Sequence, residues 1–126
     1  MIDSPTGELT LQTVTFPADT NAAGDIFGGW VLSQMDIAAG TTAAIRAKGR
    51  VATVAINAMR FHAPVLTGDL FTVYTHIKRI GTTSITIGVE AWVRRLATAE
   101  HLRVTEADFV FVAIESSGVK RPVPEE

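Results

Sequence analysis

The sequence predicts an α+β fold in which one long central helix is wrapped by a five-stranded antiparallel sheet. One observation behind this prediction is an uninterrupted helical pattern from Gly28 to about Lys48. Another is that strand patterns stand before and after this helix, joined by loops too short to build parallel crossovers, and short connections favour antiparallel neighbours. A helix lying on such a sheet buries its own apolar stripe and one sheet face together.

Length and composition set the class of protein. The chain has 126 residues, so we expect one domain covering residues 1–126. A composition of 47% hydrophobic and 19% charged residues with a net charge of -2 excludes disordered chains and basic nucleic-acid binders. The absence of cysteine excludes disulfides, thiolate zinc sites and cysteine nucleophiles, and favours a reducing compartment. With no targeting or membrane-spanning pattern, we expect a cytoplasmic protein that binds neither nucleic acid nor membrane.

The first half of the chain contains one strand pattern and the helix. Residues Glu8 to Phe16 alternate and are rich in threonine, as a strand would be, and "PADTNAAGD" follows as a loop. The helix pattern contains no proline and ends at "KGR". We expect Lys48 in its last turn and Gly49 as its C-terminal cap.

The second half of the chain is predicted to form strands. The segments Val51 to Phe61 and Leu70 to Ile80 are separated by a turn that contains Pro64 and Gly68. "TTSITIGVEAWVRRL" has the clearest period-two alternation in the chain, and a last strand is expected from about Arg103 to Glu115. The sheet face away from the helix is expected to stay partly apolar, and edge strands invite pairing with another chain. Both features predict a homo-oligomer.

Asp36 is unusual for its place in the helix. Between Val31 and Ile45 it is the only charged residue, whereas a solvated helix face normally carries several. Aspartate is also a poor residue for a helix interior. We therefore expect Asp36 to face protein or a ligand and not bulk water.

The start of the helix offers a second functional feature. Gly28 and Gly29 lie where backbone N–H groups have no helical partner and, aided by the helix dipole, can stabilise an oxyanion. Gly28 precedes Asp36 by eight residues, which is about 12 Å of helix. If both act on one acyl group, either the first turns bend or the two residues come from different subunits, as in a dimer with sites at its interface.

Several segments together resemble the YciA-like acyl-CoA thioesterases of the hotdog superfamily. They are "PADTNAAGDIFGGWVLSQMDIAAG", "GRVATVAINAMRF", "TGD", "GTTSITIGVEAWVRR" and "TEADFVFVAIESSG". The resemblance runs from about Thr13 to Pro124 and implies a hotdog fold that forms dimers with shared active sites, commonly assembled as hexamers from three dimers. It also implies hydrolysis of acyl-CoA to free CoA and a carboxylic acid, with CoA as part of the substrate and no separate cofactor.

The same resemblance assigns catalytic residues. The family's helix acid matches Asp36, and its oxyanion-hole amide matches Gly28. Asn21 matches the amide donor of the preceding loop, and Asp25 matches a position that is asparagine or aspartate in related thioesterases. Asp36 could activate a water as general base or attack the thioester and form an anhydride, and the sequence leaves both mechanisms open.

Recognition of CoA requires donors and cations for its phosphates. The candidates are Gly81, Thr82, Thr83, Ser84, Arg94, Arg95 and Arg60. Turn chemistry alone favours a simple hairpin turn for "GTTS" and a solvated edge for the arginines. The resemblance to the family favours CoA binding instead.

The remaining features define the alternatives. No pair of histidines has the spacing of metal ligands, so we expect no metal, and His62, before a turn, is expected to hydrogen-bond locally. A hotdog dehydratase would need a histidine beside the acid, and residues 19–49 contain none. A non-catalytic acyl-CoA-binding regulatory module is the alternative from a different class.

Overall fold

Among residues 4–126, the fold contains one long helix and five strands, as predicted. The computed structural model describes residues 4–126. Its elements, in order, are β1 (Glu8–Val14), a short 3-10 turn (Pro17–Asp19), α1 (Gly28–Ala47), β2 (Val51–Phe61), β3 (Leu70–Ile80), β4 (Ser84–Arg94) and β5 (His101–Ala113). Every predicted strand is present, with bounds within two residues of those expected.

The five strands form a single antiparallel sheet in the order β1-β3-β4-β5-β2. β3, β4 and β5 are neighbours in the chain and in the sheet, because their connections are short. β1 and β2, which flank α1 in the chain, therefore become the two edges. An edge strand leaves one row of backbone N–H and C=O groups unpaired, so the strand that follows the helix is open along one side.

Helix α1 packs across one face of the sheet and contacts all five strands. The apolar face predicted for β4 lies in the core: Ile85, Ile87 and Val89 are all but inaccessible, as are Met35 and Ala39 of α1. Removing such side chains from water is the main stabilising contribution. The helix carries small residues where it is closest to the sheet, so the two elements approach closely.

The end of α1 differs from the prediction. Lys48, and not Gly49, is the C-terminal cap and adopts the left-handed conformation at φ 56°. Gly49 instead lies against the C-terminal segment: a Cβ atom there would lie 2.7 Å from Nη2 of Arg121. The glycine therefore makes room for the guanidinium of the C-terminal segment.

The C-terminal segment fastens the end of the helix. Arg121 Nη2 donates to the carbonyl of Ala47 at 2.8 Å, and Arg46 Nη1 donates to the carbonyl of Pro124 at 2.5 Å. The bond from Arg121 satisfies a carbonyl group that a helix end leaves without a partner. Among residues 4–126, no helix is long and apolar enough to cross a membrane.

Candidate active site

A cleft of about 410 Å³ lies at the start of α1. The loop before the helix, the first turn of the helix and the segment after β2 line it, and its polar or backbone-exposing members include Asn21, Asp25, Gly28 and His62. Three of the four predicted catalytic residues thus lie together. Asp36, the fourth, is not in the lining of this cleft.

The loop fixes Asn21 in one orientation. Its Oδ1 accepts hydrogen bonds from the backbone N–H groups of Ala23 at 2.9 Å and Asp25 at 3.1 Å, and its own backbone N–H donates to the carbonyl of Asp25 at 2.7 Å. The side-chain oxygen is therefore used within the loop. The Nδ2 group has no partner among residues 4–126, which leaves the amide as a hydrogen-bond donor for a ligand.

The start of α1 supplies backbone donors. Trp30 and Val31 donate their N–H groups to the carbonyl of Phe27, at 3.1 and 3.2 Å, so the helix ladder begins after Gly28 and Gly29. No side chain caps this end. The two glycine N–H groups carry the partial positive charge of the helix terminus and suit an oxyanion.

Asp25 is placed by its backbone. It forms an isolated antiparallel bridge with Leu66, which joins the loop before α1 to the loop before β3. The Ile26 N–H donates to the carbonyl of Val65 at 2.9 Å beside it. These contacts set the shape of the cleft wall on which Asp25 lies.

Asp36 is half-buried at the β2 side of the helix. Thr53 of β2 donates its hydroxyl to Asp36 Oδ1 at 2.7 Å, which leaves Oδ2 without a partner among the described residues. The expectation that Asp36 faces protein is met by this bond. Because α1 is continuous from Gly28 to Ala47, Asp36 lies about 12 Å along the axis from Gly28.

The turn between β3 and β4 contains the candidate CoA donors Gly81, Thr82, Thr83 and Ser84. Gly81 donates its N–H to the carbonyl of Ser84 at 2.8 Å, as a hairpin turn requires. The carbonyls of Thr82 and Thr83 accept from Val123 at 2.8 Å and from Ala113 at 2.9 Å. The turn is thereby held against β5 and the C-terminal segment.

Arg94 and Arg95 lie at the far end of β4 from that turn. The strand has 11 residues, so the two groups of candidates are about 33 Å apart. One chain cannot bring both to one phosphate group. The predicted CoA-binding residues therefore divide into separate regions of the surface.

Both arginines make hydrogen bonds within the protein. Arg95 forms an ion pair with Asp69 through Nη1 and donates to the carbonyl of Pro64 through Nη2 at 3.1 Å. The Asp69 side chain is 4% exposed and also accepts from the backbone of Leu66 at 2.8 Å. Arg94 donates to the carbonyl of Ala99 at 3.0 Å. Arg95 is therefore part of the structure beneath the cleft wall.

His101, next to Arg94 on the neighbouring strand, packs against Trp92 in a tilted arrangement with ring centroids 4.7 Å apart. Partial burial lowers the pKa of His101, and the positive charge of Arg94 lowers that pKa further. The neutral imidazole is thus the form that the folded protein favours.

The prediction of local hydrogen bonding for His62 is wrong. Its Nε2 lies 2.8 and 2.7 Å from the two carboxylate oxygens of Glu106, a residue of β5 that is 44 positions away. Its backbone N–H donates to the carbonyl of Val104 at 2.7 Å. The turn residues that follow His62 in the sequence could not predict that its partner, Glu106, lies on another strand.

Thr53 and Glu106 are the two residues that sequence reasoning missed. The position of each is set by pairing in the sheet: Thr53 lies opposite Phe111, and Glu106 lies opposite Arg60. A threonine in an edge strand and a glutamate in an alternating strand are common, so neither residue type gave a signal. Among residues 4–126, no group of three or more side chains could hold a metal ion.

Comparison with known sequences gives one family. The family model described as the thioesterase superfamily matches residues 23–100. The acyl-CoA thioester hydrolase YciA of Salmonella typhimurium is 46% identical over 127 residues, covering 98% of this chain and 96% of that protein. YciA of Escherichia coli is 45% identical over 125 residues, covering 97% and 95%.

Solved structures agree in fold. A hexameric thioesterase from Yersinia pestis superimposes with a TM-score of 0.93 at 46% identity, covering 98% of this chain and 100% of that one. A hexameric hotdog fold thioesterase of Campylobacter jejuni gives 0.88 at 36% identity, covering 94% and 91%.

The structures of a third relative include two variants, each with one residue changed to alanine. The acyl-CoA hydrolase from Staphylococcus aureus is 26% identical, with TM-scores of 0.82 and 0.83, covering 90% of this chain and 70% or 68% of those chains. One variant replaces an aspartate and the other an asparagine, and the aspartate lies 15 positions after the asparagine.

Proposed function

The chain belongs to the thioesterase superfamily, and from this membership we propose that it hydrolyses acyl-CoA thioesters. Water adds to the thioester carbonyl, the carbon–sulfur bond breaks, and the products are free CoA and a carboxylic acid. The named relatives are hydrolases, so the alternative of a regulatory module that only binds acyl-CoA has no support from them. CoA enters as substrate, and the reaction needs no separate cofactor.

The observation that carries the mechanism is the ordered Asp36 carboxylate. Thr53 holds one of its oxygens at 2.7 Å, and the other oxygen is available for a water or for the thioester carbon. As a general base, Asp36 takes a proton from the attacking water. As a nucleophile, it forms a mixed anhydride that water then cleaves. Both routes use the same carboxylate.

The cleft supplies the charge stabilisation that either route needs. Gly28 and Asn21 both line this cleft, so the N–H group of Gly28 and the Nδ2 of Asn21 are the donors available there. Donors fixed in advance at the position of a developing oxyanion lower the barrier without reorganisation. Asp25 completes the polar wall of this cleft.

The spacing of Asn21 and Asp36 supports their joint role. Asp36 follows Asn21 by 15 positions, the same separation as between the asparagine and the aspartate that were replaced in the Staphylococcus aureus hydrolase. The same spacing in a related chain favours the interpretation that Asn21 and Asp36 are equivalent to those two replaced residues.

A site shared between two subunits joins the cleft to Asp36. The distance of about 12 Å along a straight helix is too long for one carbonyl to meet both in one chain. β2 is an open edge, and its neighbourhood exposes the apolar side chains Ile37, Val54, Ile56 and Phe61. Pairing of two such edges would bury these side chains and bring one subunit's cleft to the other's Asp36. Three such dimers would form a hexamer like those of the solved relatives, and a cytoplasmic location suits a CoA-dependent enzyme.

The experiment that tests the function is free-thiol release from acyl-CoAs of short to long chain length. The wild type should release thiol, and Asp36→Asn should lower turnover by about a hundredfold or more, the effect of losing a general base or nucleophile. The length preference comes from the same panel. A folded Asp36→Asn variant with wild-type turnover would contradict the role of Asp36, and no release from any acyl-CoA would contradict the hydrolase function itself.

The shared site has a separate test. Asp36→Asn and Asn21→Ala subunits, each impaired alone, are co-expressed with different tags and purified as mixed oligomers. A mixed dimer pairs the intact Asn21 of one subunit with the intact Asp36 of the other, so part of the wild-type activity returns. Mixed oligomers that stay as inactive as their parents would show that each chain uses its own Asp36.

A further inference from the structure

Arg60 is a cation whose expected partner, Glu106, is bound to other side chains. It lies directly opposite Glu106 in the pairing of β2 with β5, where opposite charges normally attract across strands. The Glu106 carboxylate instead binds His62 Nε2 at 2.7 Å and lies 3.6 Å from Arg103 Nε. The guanidinium of Arg60 has no hydrogen bond or ion pair among residues 4–126, so it is free to bind an anion.

An irregularity in β2 directs Arg60 to this place. The register between β2 and β5 shifts between Asn57 and Arg60, and Ala58 adopts the left-handed conformation at φ 55°. Such a bulge bends an edge strand and changes the direction of the side chains after it. Bulges are frequent beside functional sites for this reason.

His62 connects Arg60 to the active-site cleft. A surface depression of about 370 Å³ is lined by Ala58, Met59, Arg60, His62 and Glu106. His62 also lines the cleft that contains Asn21 and Gly28. The depression therefore begins where the cleft ends, on the outer face of the sheet, and a long ligand can occupy both.

The other cations at this end of the sheet are poor alternatives. Arg95 is bound by Asp69 and Pro64, and Arg94 by Ala99. Binding a phosphate through Arg95 would break a buried ion pair, which is strongly destabilising. Arg60 needs no such exchange.

We propose that Arg60 binds a phosphate group of CoA, and that His62 keeps Arg60 free by holding Glu106. This inference rests on the proposed function. The thioester lies in the cleft at Gly28, the pantetheine chain passes His62, and a phosphate reaches the guanidinium in the depression. A guanidinium binds phosphate through paired, charge-assisted hydrogen bonds.

The experiment measures CoA binding by titration calorimetry, which does not depend on hydrolysis. Arg60→Gln should weaken CoA binding about tenfold or more, because one charge-assisted contact is lost. Lys78→Gln is the matched control, since Lys78 lies on the same sheet face and is paired with Asp108 at 3.0 Å. The control should bind CoA within about twofold of the wild type.

His62 provides a sharper test. In His62→Ala, Glu106 loses its nearest partner and can pair with Arg60, so CoA binding should weaken although Arg60 is present. Adding Glu106→Gln should restore much of the binding, because the competing charge is gone. If the double variant binds no better than His62→Ala, the role of His62 in freeing Arg60 is refuted.

Shorter ligands identify the phosphate. A pantetheine thioester has none, so Arg60→Gln should leave its kcat/KM unchanged. With dephospho-CoA, a persisting defect assigns the diphosphate, and a lost defect assigns the 3′-phosphate. Unchanged CoA binding by Arg60→Gln, or equal damage to the pantetheine thioester, would overturn the proposal. Failure of the hydrolase function would appear separately, as wild-type protein that binds CoA and releases no thiol.

Discussion

Thr53 donates its hydroxyl to the Asp36 carboxylate across 2.7 Å, and this bond joins the open edge strand β2 to the middle of helix α1. The donor is on a strand and the acceptor is on a helix, so the carboxylate is held by the packing of two rigid elements. A carboxylate with one oxygen fixed in this way keeps the other in a constant direction. Such preorganisation is what a general base or nucleophile requires.

Removing this hydroxyl should lower activity. Thr53→Val keeps the shape of the side chain and leaves Asp36 without its donor, so its carboxylate can rotate. We expect kcat for acyl-CoA hydrolysis to fall about tenfold or more, as displaced catalytic groups do, while CoA binding changes little. The measurement is steady-state thiol release together with CoA calorimetry.

Thr53→Ser is the control, because it keeps the hydroxyl and loses only a methyl group. It should retain most of the activity. If Thr53→Ser is as impaired as Thr53→Val, the methyl group and its packing matter, and the hydrogen bond does not.

Arg95 should matter for stability and not for CoA. Arg95→Met removes the partner of Asp69, whose side chain is 4% exposed, and leaves a buried carboxylate without compensation. Loss of one partner of a buried pair costs about 3–5 kcal/mol. Denaturant unfolding measures this loss. Asp69→Asn combined with Arg95→Met should recover part of the lost stability, because the unpaired charge is removed.

The opposite result would be an Arg95→Met protein that is as stable as the wild type but binds CoA more weakly. That result would identify Arg95 as a CoA ligand.

Gly88 is expected to be replaceable only when His76 is replaced too. The two lie opposite each other on β4 and β3, and a Cβ atom at Gly88 would lie 2.7 Å from Nε2 of His76. Gly88→Ala should therefore destabilise the protein by about 1–3 kcal/mol through overpacking. His76→Ala in the same chain should relieve this cost, and additive losses in thermal unfolding would argue against the contact.

His101 should make stability depend on pH. Burial and then Arg94 lower its pKa below the ordinary value of 6.5, so the unfolded chain binds the proton more readily than the folded protein. Stability is therefore highest above pH 6.5 and falls as the pH decreases through that value towards the folded pKa.

The variant His101→Phe tests this dependence. It keeps a ring against Trp92 and cannot be protonated, so its Tm should fall less than that of the wild type between about pH 7.5 and 5.5. Parallel curves for the two proteins would assign the acid sensitivity to other groups.

The elements of the fold were predictable from local patterns. The 3.6-residue period of Gly28–Ala47 and the alternation of Ser84–Arg94 are each set by the face that the element buries. The short loops then left antiparallel pairing as the available topology.

The contacts within the site were less predictable because they join distant parts of the chain. Thr53 and Asp36 are 17 positions apart, Arg95 and Asp69 are 26, and His62 and Glu106 are 44. Side-chain pairs of this kind depend on strand register. β2 has two register shifts, and no residue type in the sequence predicts where they occur. Single residues with a chemical reason to be unusual, such as Asp36, could be found, but their partners could not.

The fastening of α1 has a consequence for the order in which the protein folds. Arg121 and Pro124 bond to the helix end across 74 and 78 positions of chain, so that end is complete only after these later residues have been synthesised. β2 likewise finds β5 only after the two strands between them exist. During synthesis the helix and its following strand remain without their final partners, and distant contacts of this kind slow folding. Completion of the helix end is therefore coupled to docking of the C-terminal segment.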